Sequence, residues 1–352
     1  MQKMLLAFLK NTVRARFTNS VWFDPIVATM YVTPMCNLRC NYCYDFGAQR
    51  NESFRGQLLP LAQMKRIAEM LAVECDFLYV TGGEPLMNPD IAEILAHARR
   101  SGFKYVAMNT NALLLRDNEE VLKYLDNLVI SVDSLDIGRR DDTLAAQPDN
   151  IRKLLDNVRW AAANQKAGGY TLTITSVISP GLVADARRVM EFCFEIGAQF
   201  SAQHLSAPDR MPDAELDRDP EFGRFMADLL AAKRAGKPVS GSELYLNHVQ
   251  EAIPYACTPT VSPRVDWMGR LAYPCRELPN HIWVDMLGAG SYRAALAEAE
   301  KQWGAPPGDC SRCGERCYVE LSTLVRNPTK FASEAVGYLR QYAGTRIAKV
   351  TG

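Results

Sequence analysis

The sequence predicts an α/β fold: a partial (β/α)6 barrel, with a flat doubly wound sheet as the alternative that shares its local pattern, followed by a small C-terminal region organised by cysteines. Three observations predict it. Short apolar runs alternate with segments of helical period six times between Val27 and His204. The residues that end those runs are mostly small or polar while the runs are apolar, as a polar ligand at the C-terminal ends of parallel strands requires. Eight of the ten cysteines fall into two groups, one directly after the first apolar run and one far along the chain.

Composition sets the outer bounds. A chain of 352 residues, 48% hydrophobic and 23% charged, has room for one large domain and an appendage. A formal net charge of zero argues against bulk attraction to nucleic acid. No apolar run is long enough to cross a membrane. The apolar N-terminal run is short and lacks a small-residue cleavage site, so a cytoplasmic location is expected. There, clustered cysteines read as metal ligands rather than disulfides. Cys75 and Cys193 sit singly on or beside helical patterns and read as core.

The expected division is residues 1–25, 26–240 and 241–352. The first part carries Lys3, Lys10, Arg14 and Arg16 and no acidic residue up to position 20. Met4, Leu5, Phe8, Leu9, Val13 and Phe17 recur near helical spacing. This is a basic amphipathic helix, which either lies on an anionic membrane surface, on the inner face, or packs across the domain.

Strands are expected at 27–32, 77–80, 105–108, 128–132, 170–178 and 198–204, and helices at 60–74, 90–100, 117–125, 149–166 and 184–195. The tips carry Cys36, Cys40 and Cys43, then Gly82-Gly83-Glu84, Asn109-Thr110-Asn111, Ser131 to Ser134, Ser176 to Ser179, and Gln203-His204. Residues 205–220, rich in Pro and Asp, read as a loop before a helix at 221–235. Arg264–Met268 and Arg270–Cys275 read as a hairpin turning near Gly269, and 328–342 as a closing helix.

Cys36-x3-Cys40-x2-Cys43 supplies three thiolates and no nearby fourth, which leaves one iron of a cubane open. Farther on, Cys257, Cys275, Cys310, Cys313 and Cys317 give five thiols for one site. Four would complete a cubane, or a structural zinc site; ligand spacing does not separate the two. Cys257, Cys275, Cys310 and Cys313 are the expected ligands, and Cys317 either replaces one or lies beside them. Asn109, His204, Tyr273 and Arg276 are the polar candidates for catalysis, with Arg264 and Arg270 also within reach of the barrel mouth; for His204, Tyr273 and the arginines a structural or solvated role is the alternative.

With the aromatic Tyr42 before its last cysteine, the first group resembles the signature of the radical S-adenosylmethionine (SAM) superfamily. Gly82-Gly83-Glu84-Pro85, one strand later, resembles that superfamily's glycine element. The resemblance implies a radical SAM barrel with a 4Fe-4S cluster whose open iron chelates SAM. An electron, from a donor such as flavodoxin or ferredoxin, then yields a 5′-deoxyadenosyl radical. It also implies that Gly82 and Gly83 meet the methionine amino group, that Glu84 orients the loop and that Tyr42 lies beside the adenine. Ser131 and Asp133 would meet the ribose or methionine part, or else only cap the following loop, and Asn109 and Asn111 face the same region, open to substrate, SAM or turn formation. The C-terminal cysteines resemble the twitch half of SPASM auxiliary-cluster domains, which implies a second iron–sulfur cluster.

Several stretches together resemble the adenosylhopane synthase family: the basic N-terminal helix, Gly82 to Leu86, Thr110 to Leu115, Cys257-Thr258-Pro259, Pro274-Cys275, Cys310-x2-Cys313-x3-Cys317 and Asn327-Pro328-x-Lys330. That implies a lipid-like substrate and addition of the adenosyl radical to an alkene. Two departures stand against it. Asn109 occupies the place of a cysteine in that family's pattern, and the Asn41-Tyr42 pair is closer to the general superfamily form. The expected function is therefore radical SAM chemistry on a small metabolite or lipid-like substrate, by hydrogen abstraction or by addition. Ribosomal-peptide modification of the SPASM type and a non-catalytic zinc scaffold are the alternatives.

Overall fold

The computed structural model describes residues 2–18, 20–43, 58–136, 148–206, 211–251, 253–308, 310–311 and 313–334. After helix α1 (Gln2–Phe17), six strands form the body of the sheet: β1 (Val27–Tyr31), β2 (Phe77–Thr81), β3 (Tyr105–Thr110), β4 (Asn127–Ser131), β5 (Thr171–Ile178) and β6 (Gln199–His204). They pair in parallel and in chain order. Helices α2 (Leu61–Glu74), α3 (Ile91–Ser101), α4 (Pro148–Gly168) and α5 (Val183–Ile196) form the crossovers. The sheet stays open, so the expected partial barrel is what forms.

Strand parity decides which residues meet the helices. Leu78 and Val80 are fully buried, while Phe77, Tyr79 and Thr81 on the other face are half-buried. The outer face packs Met64, Ile67 and Leu71 of α2 and Ile94 and Leu95 of α3 into one core. Each such side chain contributes about 1.5–3 kcal/mol on burial. The inner face is left to the site.

The expected hairpin forms and turns at Gly269, where the Asp266 carboxylate accepts from the Met268 and Arg270 amides. Its first strand, β7 (Arg264–Val265), pairs in parallel with β1, and β8 (Arg270–Tyr273) and β9 (Ile282–Asp285) add antiparallel strands. Among the described residues the result is one nine-stranded sheet, β6-β5-β4-β3-β2-β1-β7-β8-β9, that crosses position 240 without a break. The later helices are α6 (Ala214–Asp217), α7 (Pro220–Arg234), α8 (Glu243–Glu251), α9 (Met286–Ala289), α10 (Tyr292–Trp303) and α11 (Arg316–Arg326).

Helix α1 closes the end of the barrel where the strands begin. Asp76, just before β2, accepts the Lys3 amide at 2.9 Å. Asn11 exchanges two hydrogen bonds of 2.8 Å with the main chain of Asp24, just before β1. Phe8 stacks on Phe331 and packs with Phe23, Ile26 and Val27.

Three expectations change. Residues 116–124 form a 3-10 segment, because Asn118 leaves helical geometry (φ −131°, ψ 31°) and its side chain donates to the Leu114 carbonyl. The 205–220 loop contains α6, started by the Asp213 carboxylate on two amides; residues 207–210 lie outside the described residues. The closing helix is described over 328–334, and its remainder to 342 lies outside the described residues.

Candidate active site

The site is built where the cysteine loop crosses the tip of β2. The Gly83 amide donates to the Thr33 carbonyl at 2.8 Å and the Glu84 amide to the Met35 carbonyl at 2.7 Å. A Cβ on Gly82 would stand 2.6 Å from the Thr33 oxygen, and one on Gly83 2.2 Å from the Met35 oxygen. Gly82 also has φ +154°. The two glycines are therefore required by the strap leading into Cys36, quite apart from any ligand.

Glu84 is buried below them. Its carboxylate accepts from the Leu86 amide (3.1 Å), the Thr110 hydroxyl (2.6 Å) and the Asn111 amide (2.7 Å). Burial pushes its carboxyl above the usual range, and the three donors oppose that rise. Glu84 thus ties the β2 tip to the β3 tip. Asn111 in turn donates to the Asn37 side chain at 2.7 Å, within the cysteine loop.

A second guy-line comes from β4. Tyr42 donates its hydroxyl to Asp133 at 2.6 Å, and the other Asp133 oxygen accepts the Val177 amide at 2.8 Å. Asp133, expected to meet SAM directly, is in this way engaged in holding Tyr42. Ser131 donates to the Asn109 side-chain oxygen at 3.3 Å.

The three thiols held by these ties act on one another. Burial pushes the Cys40 thiol up to about 12, and the charges of Asp133, Cys43 and Cys36 add to the rise. Three thiolates crowded this way need positive charge between them, which the irons of a cluster supply. Cys36 Sγ also accepts the Leu38 amide at 3.4 Å.

The C-terminal thiols form a second group. Cys257 and Cys310 share a side-chain hydrogen bond, and Cys275 and Cys313 lie close enough to raise the Cys257 thiol further. The Glu277 amide donates to Cys275 Sγ at 3.4 Å and the Glu315 amide to Cys313 Sγ at 3.2 Å. Such amide donors suit cluster thiolates. Cys317, the second residue of α11, stands apart: after burial, the groups acting most on it are Arg264, Glu315, Arg316 and Glu320, with no cysteine among them. Among the described residues no three His, Cys, Asp or Glu side chains converge on one ion-sized position. A cubane takes one thiolate on each iron, so its ligands need not share such a position.

Two of the catalytic candidates are not brought to the site. His204 shares the outer face with Phe200 and Ala202, and its ring nitrogens engage Asp217 (2.8 Å) and the Leu205 carbonyl (2.7 Å). Tyr273 donates to the Gly304 carbonyl at 2.7 Å, between Trp22 and Trp303. Arg276 does reach inward: it lies over the Tyr31 ring and donates to the Tyr31 hydroxyl at 2.6 Å. Arg264 is buried between Glu277 (2.6 Å) and Glu315 (2.8 Å), its guanidinium over Tyr318, and Arg270 pairs with Asp266. Tyr31, Asn37 and Thr110 are site residues that sequence reasoning missed, although Asn37 lies inside the cysteine motif and Thr110 beside Asn111.

Residues 30–193 match the family model described as the radical SAM superfamily. Residues 30–193 are a radical SAM domain. Radical SAM domains work with a 4Fe-4S cluster and SAM, and the first thiol group lies inside the matched residues. The chain is 28% identical over 171 residues to the "Probable GTP 3',8-cyclase" of Methanococcus maripaludis, covering 47% of this chain and 54% of that one. It is 29% identical to the GTP 3',8-cyclase of Aquifex aeolicus (45% and 49%) and 31% identical to the probable enzyme of Metallosphaera sedula (47% and 51%). The chain thus spans about half the length of these relatives.

Among solved structures, Streptococcus suis SuiB bound to S-adenosylmethionine is similar at TM-score 0.58 and 17% identity, over 75% of this chain and 64% of that one. Native anSMEcpe with bound AdoMet is similar at TM-score 0.57 and 14% identity, over 92% and 99%. These likenesses in fold extend beyond the matched segment. Among the described residues no helix is long and apolar enough to cross a membrane.

Proposed function

We propose that the whole chain is a radical SAM enzyme with two cluster sites, acting on a small substrate that carries polar groups. The first cluster would sit on Cys36, Cys40 and Cys43, and the second on Cys257, Cys275, Cys310 and Cys313. The observation that carries the reading is the clamp: three mutually acting thiols on a loop pinned to Gly82–Glu84, Asn111 and Asp133. When bound, the cluster supplies the electron that splits SAM and releases the 5′-deoxyadenosyl group. A small donor such as flavodoxin or ferredoxin would provide that electron.

The chain's own residues have distinct tasks. Glu84 and Asp133 brace the loop, so that Tyr42 is fixed beside the thiols. Gly82 and Gly83 present main chain to the methionine end of SAM, and Asn111 and Ser131 offer polar groups at the neighbouring tips. Tyr31 and Arg276 join the two thiol groups: Arg276 follows Cys275 in sequence and grips the strand that leads to Cys36.

Half-buried inner positions toward the C-terminal ends of the strands, Thr81, Asn109, Ser131, Thr175 and Gln203, are polar, which favours a substrate with hydrogen-bonding groups over a bare hydrocarbon. A purine nucleotide is the substrate that the names of the curated relatives support. A lipid rests on the family resemblance alone. Addition to an alkene leaves a carbon radical that needs a hydrogen donor, and Asn109 offers an amide where a thiol would serve. Hydrogen abstraction is therefore the preferred chemistry.

The test is anaerobic reconstitution followed by incubation with SAM, a reductant and either GTP or a lipid extract. About eight irons per chain and free 5′-deoxyadenosine are expected, both reduced by Cys40→Ser. Deuterium carried from labelled substrate into 5′-deoxyadenosine would support abstraction, whereas an adenosylated product would reject it. Stoichiometric zinc with no SAM cleavage would leave the scaffold reading standing.

A further inference from the structure

Helix α1 is apolar on two opposite sides. Phe8 and Ala7, with the buried Asn11 between them, pack into the barrel end. On the other side Leu5, Leu9, Val13 and Phe17 follow one another at intervals of four, with Leu6 beside them, and all are exposed. Phe17 is 74% exposed. These five are most of the eight large hydrophobic side chains that stand exposed among the described residues. A sixth, Val73, follows the Ala72 carbonyl that accepts the Lys3 ammonium, so it borders the same helix.

The charges around this face have one sign. Lys3, Lys10 and Arg16 are exposed, and α1 contains no acidic residue. Among the described residues the carboxylates that touch the helix, Asp24 and Asp76, lie on its packed side, where they bind Arg14 and the Lys3 and Met4 amides. The face is also held rigidly outward, by the two-way Asn11–Asp24 bond and the Asp76 cap.

We infer that α1 docks the protein peripherally on an anionic lipid surface. An apolar stripe bordered by basic side chains inserts shallowly at the headgroup boundary while its cations meet the lipid phosphates. A second copy of the chain fits less well. A two-fold contact through this face would bring Lys10 and Arg16 against their own counterparts with no acid on the face to pair them.

The placement also defines what docking does. α1 packs on the first residues of β1 and β2, Val27 and Phe77, whereas the cysteine loop follows the last residue of β1. Five-residue strands separate the two ends by about 16 Å. Docking through α1 therefore turns the thiol-bearing mouth away from the bilayer. It tethers the enzyme at the surface and leaves SAM and the electron donor free to approach from water.

The test is co-sedimentation of the full-length protein with vesicles of phosphatidylglycerol or of phosphatidylcholine, at low and high salt. Binding to the anionic vesicles, weakened by salt, is expected. It should fall about tenfold or more in Leu9→Glu/Val13→Glu and clearly in Lys10→Glu/Arg16→Glu, while uncoupled SAM cleavage in solution stays at its wild-type rate. Both pairs are exposed, and circular dichroism checks that they fold. Absence of vesicle binding, equal binding to phosphatidylcholine, or undiminished binding of the Leu9/Val13 variant would each overturn the inference. So would hydroxyl-radical footprinting that finds Leu9 and Phe17 protected in the free protein, or a dimer that Leu9→Glu/Val13→Glu converts to monomer.

Discussion

Replacing Glu84 by alanine should undo the tie between the β2 and β3 tips. Its buried carboxylate accepts three hydrogen bonds, two of them from main-chain amides that cannot turn to another acceptor as a hydroxyl can. Each buried donor left without a partner costs about 1–3 kcal/mol. Removing a buried carboxylate returns part of its desolvation cost, so the net loss should be about 2–4 kcal/mol. Thr110 contributes less, because its oxygen continues to accept the Ala112 amide and its proton can swing. Urea unfolding of the cluster-free protein, followed by tryptophan fluorescence, measures the loss, and iron retention after reconstitution reports on the loop. Glu84→Gln keeps one acceptor oxygen and should fall between wild type and alanine. A Glu84→Ala protein within about 1 kcal/mol of wild type, with iron fully retained, would show that the carboxylate is a bystander.

Gly83→Ala should fold but bind little iron at the first site, because a Cβ 2.2 Å from the Met35 carbonyl oxygen must displace the strap before Cys36; absorbance near 400 nm and SAM titration check it. Tyr42→Phe removes the hydroxyl's contacts with Asp133 and with the Cys40 thiol, so it should keep its iron yet shift the reduction potential of the cluster, read by potentiometric EPR. Cys313→Ser should lose about four irons and Cys317→Ser none, since Cys317 sits among arginines and glutamates; iron analysis decides. Burial holds the His248 imidazolium below its usual 6.5. The unfolded chain therefore binds the extra proton first as pH falls below 6.5, and the stability of wild type relative to His248→Phe should drop in that window. Paired urea titrations at pH 7 and pH 5 measure it.

The six barrel strands were legible to within a residue or two because each is a short apolar run bounded by turn chemistry. β9 was not: Ile282-Trp283-Val284 is brief, half-buried and flanked by polar residues, so only its partner β8 reveals it. The thiols and the glycine element could be read because their spacing is local. The braces could not. Tyr42 and Asp133 are 91 residues apart and Arg276 and Tyr31 are 245 apart, contacts that only the folded sheet creates. For His204, a candidate that the sequence leaves open between a structural and a catalytic role, strand parity decides: counting by twos from the buried Phe200 and Ala202 assigns it to the helical face.

The parallel pairing of β7 with β1 has a practical consequence. β1 is hydrogen-bonded on both edges, to β2 on one side and to a strand from the last quarter of the chain on the other. A fragment cut after position 240 would keep all three motif cysteines yet leave β1 as a bare, wholly buried-type edge, Val27-Ala28-Thr29-Met30-Tyr31, open to pairing with another molecule. Attempts to shorten this protein to its signature half, or to graft a foreign C-terminal half onto it, would therefore have to supply a replacement strand in register with Thr29 and Met30, or they would be expected to precipitate.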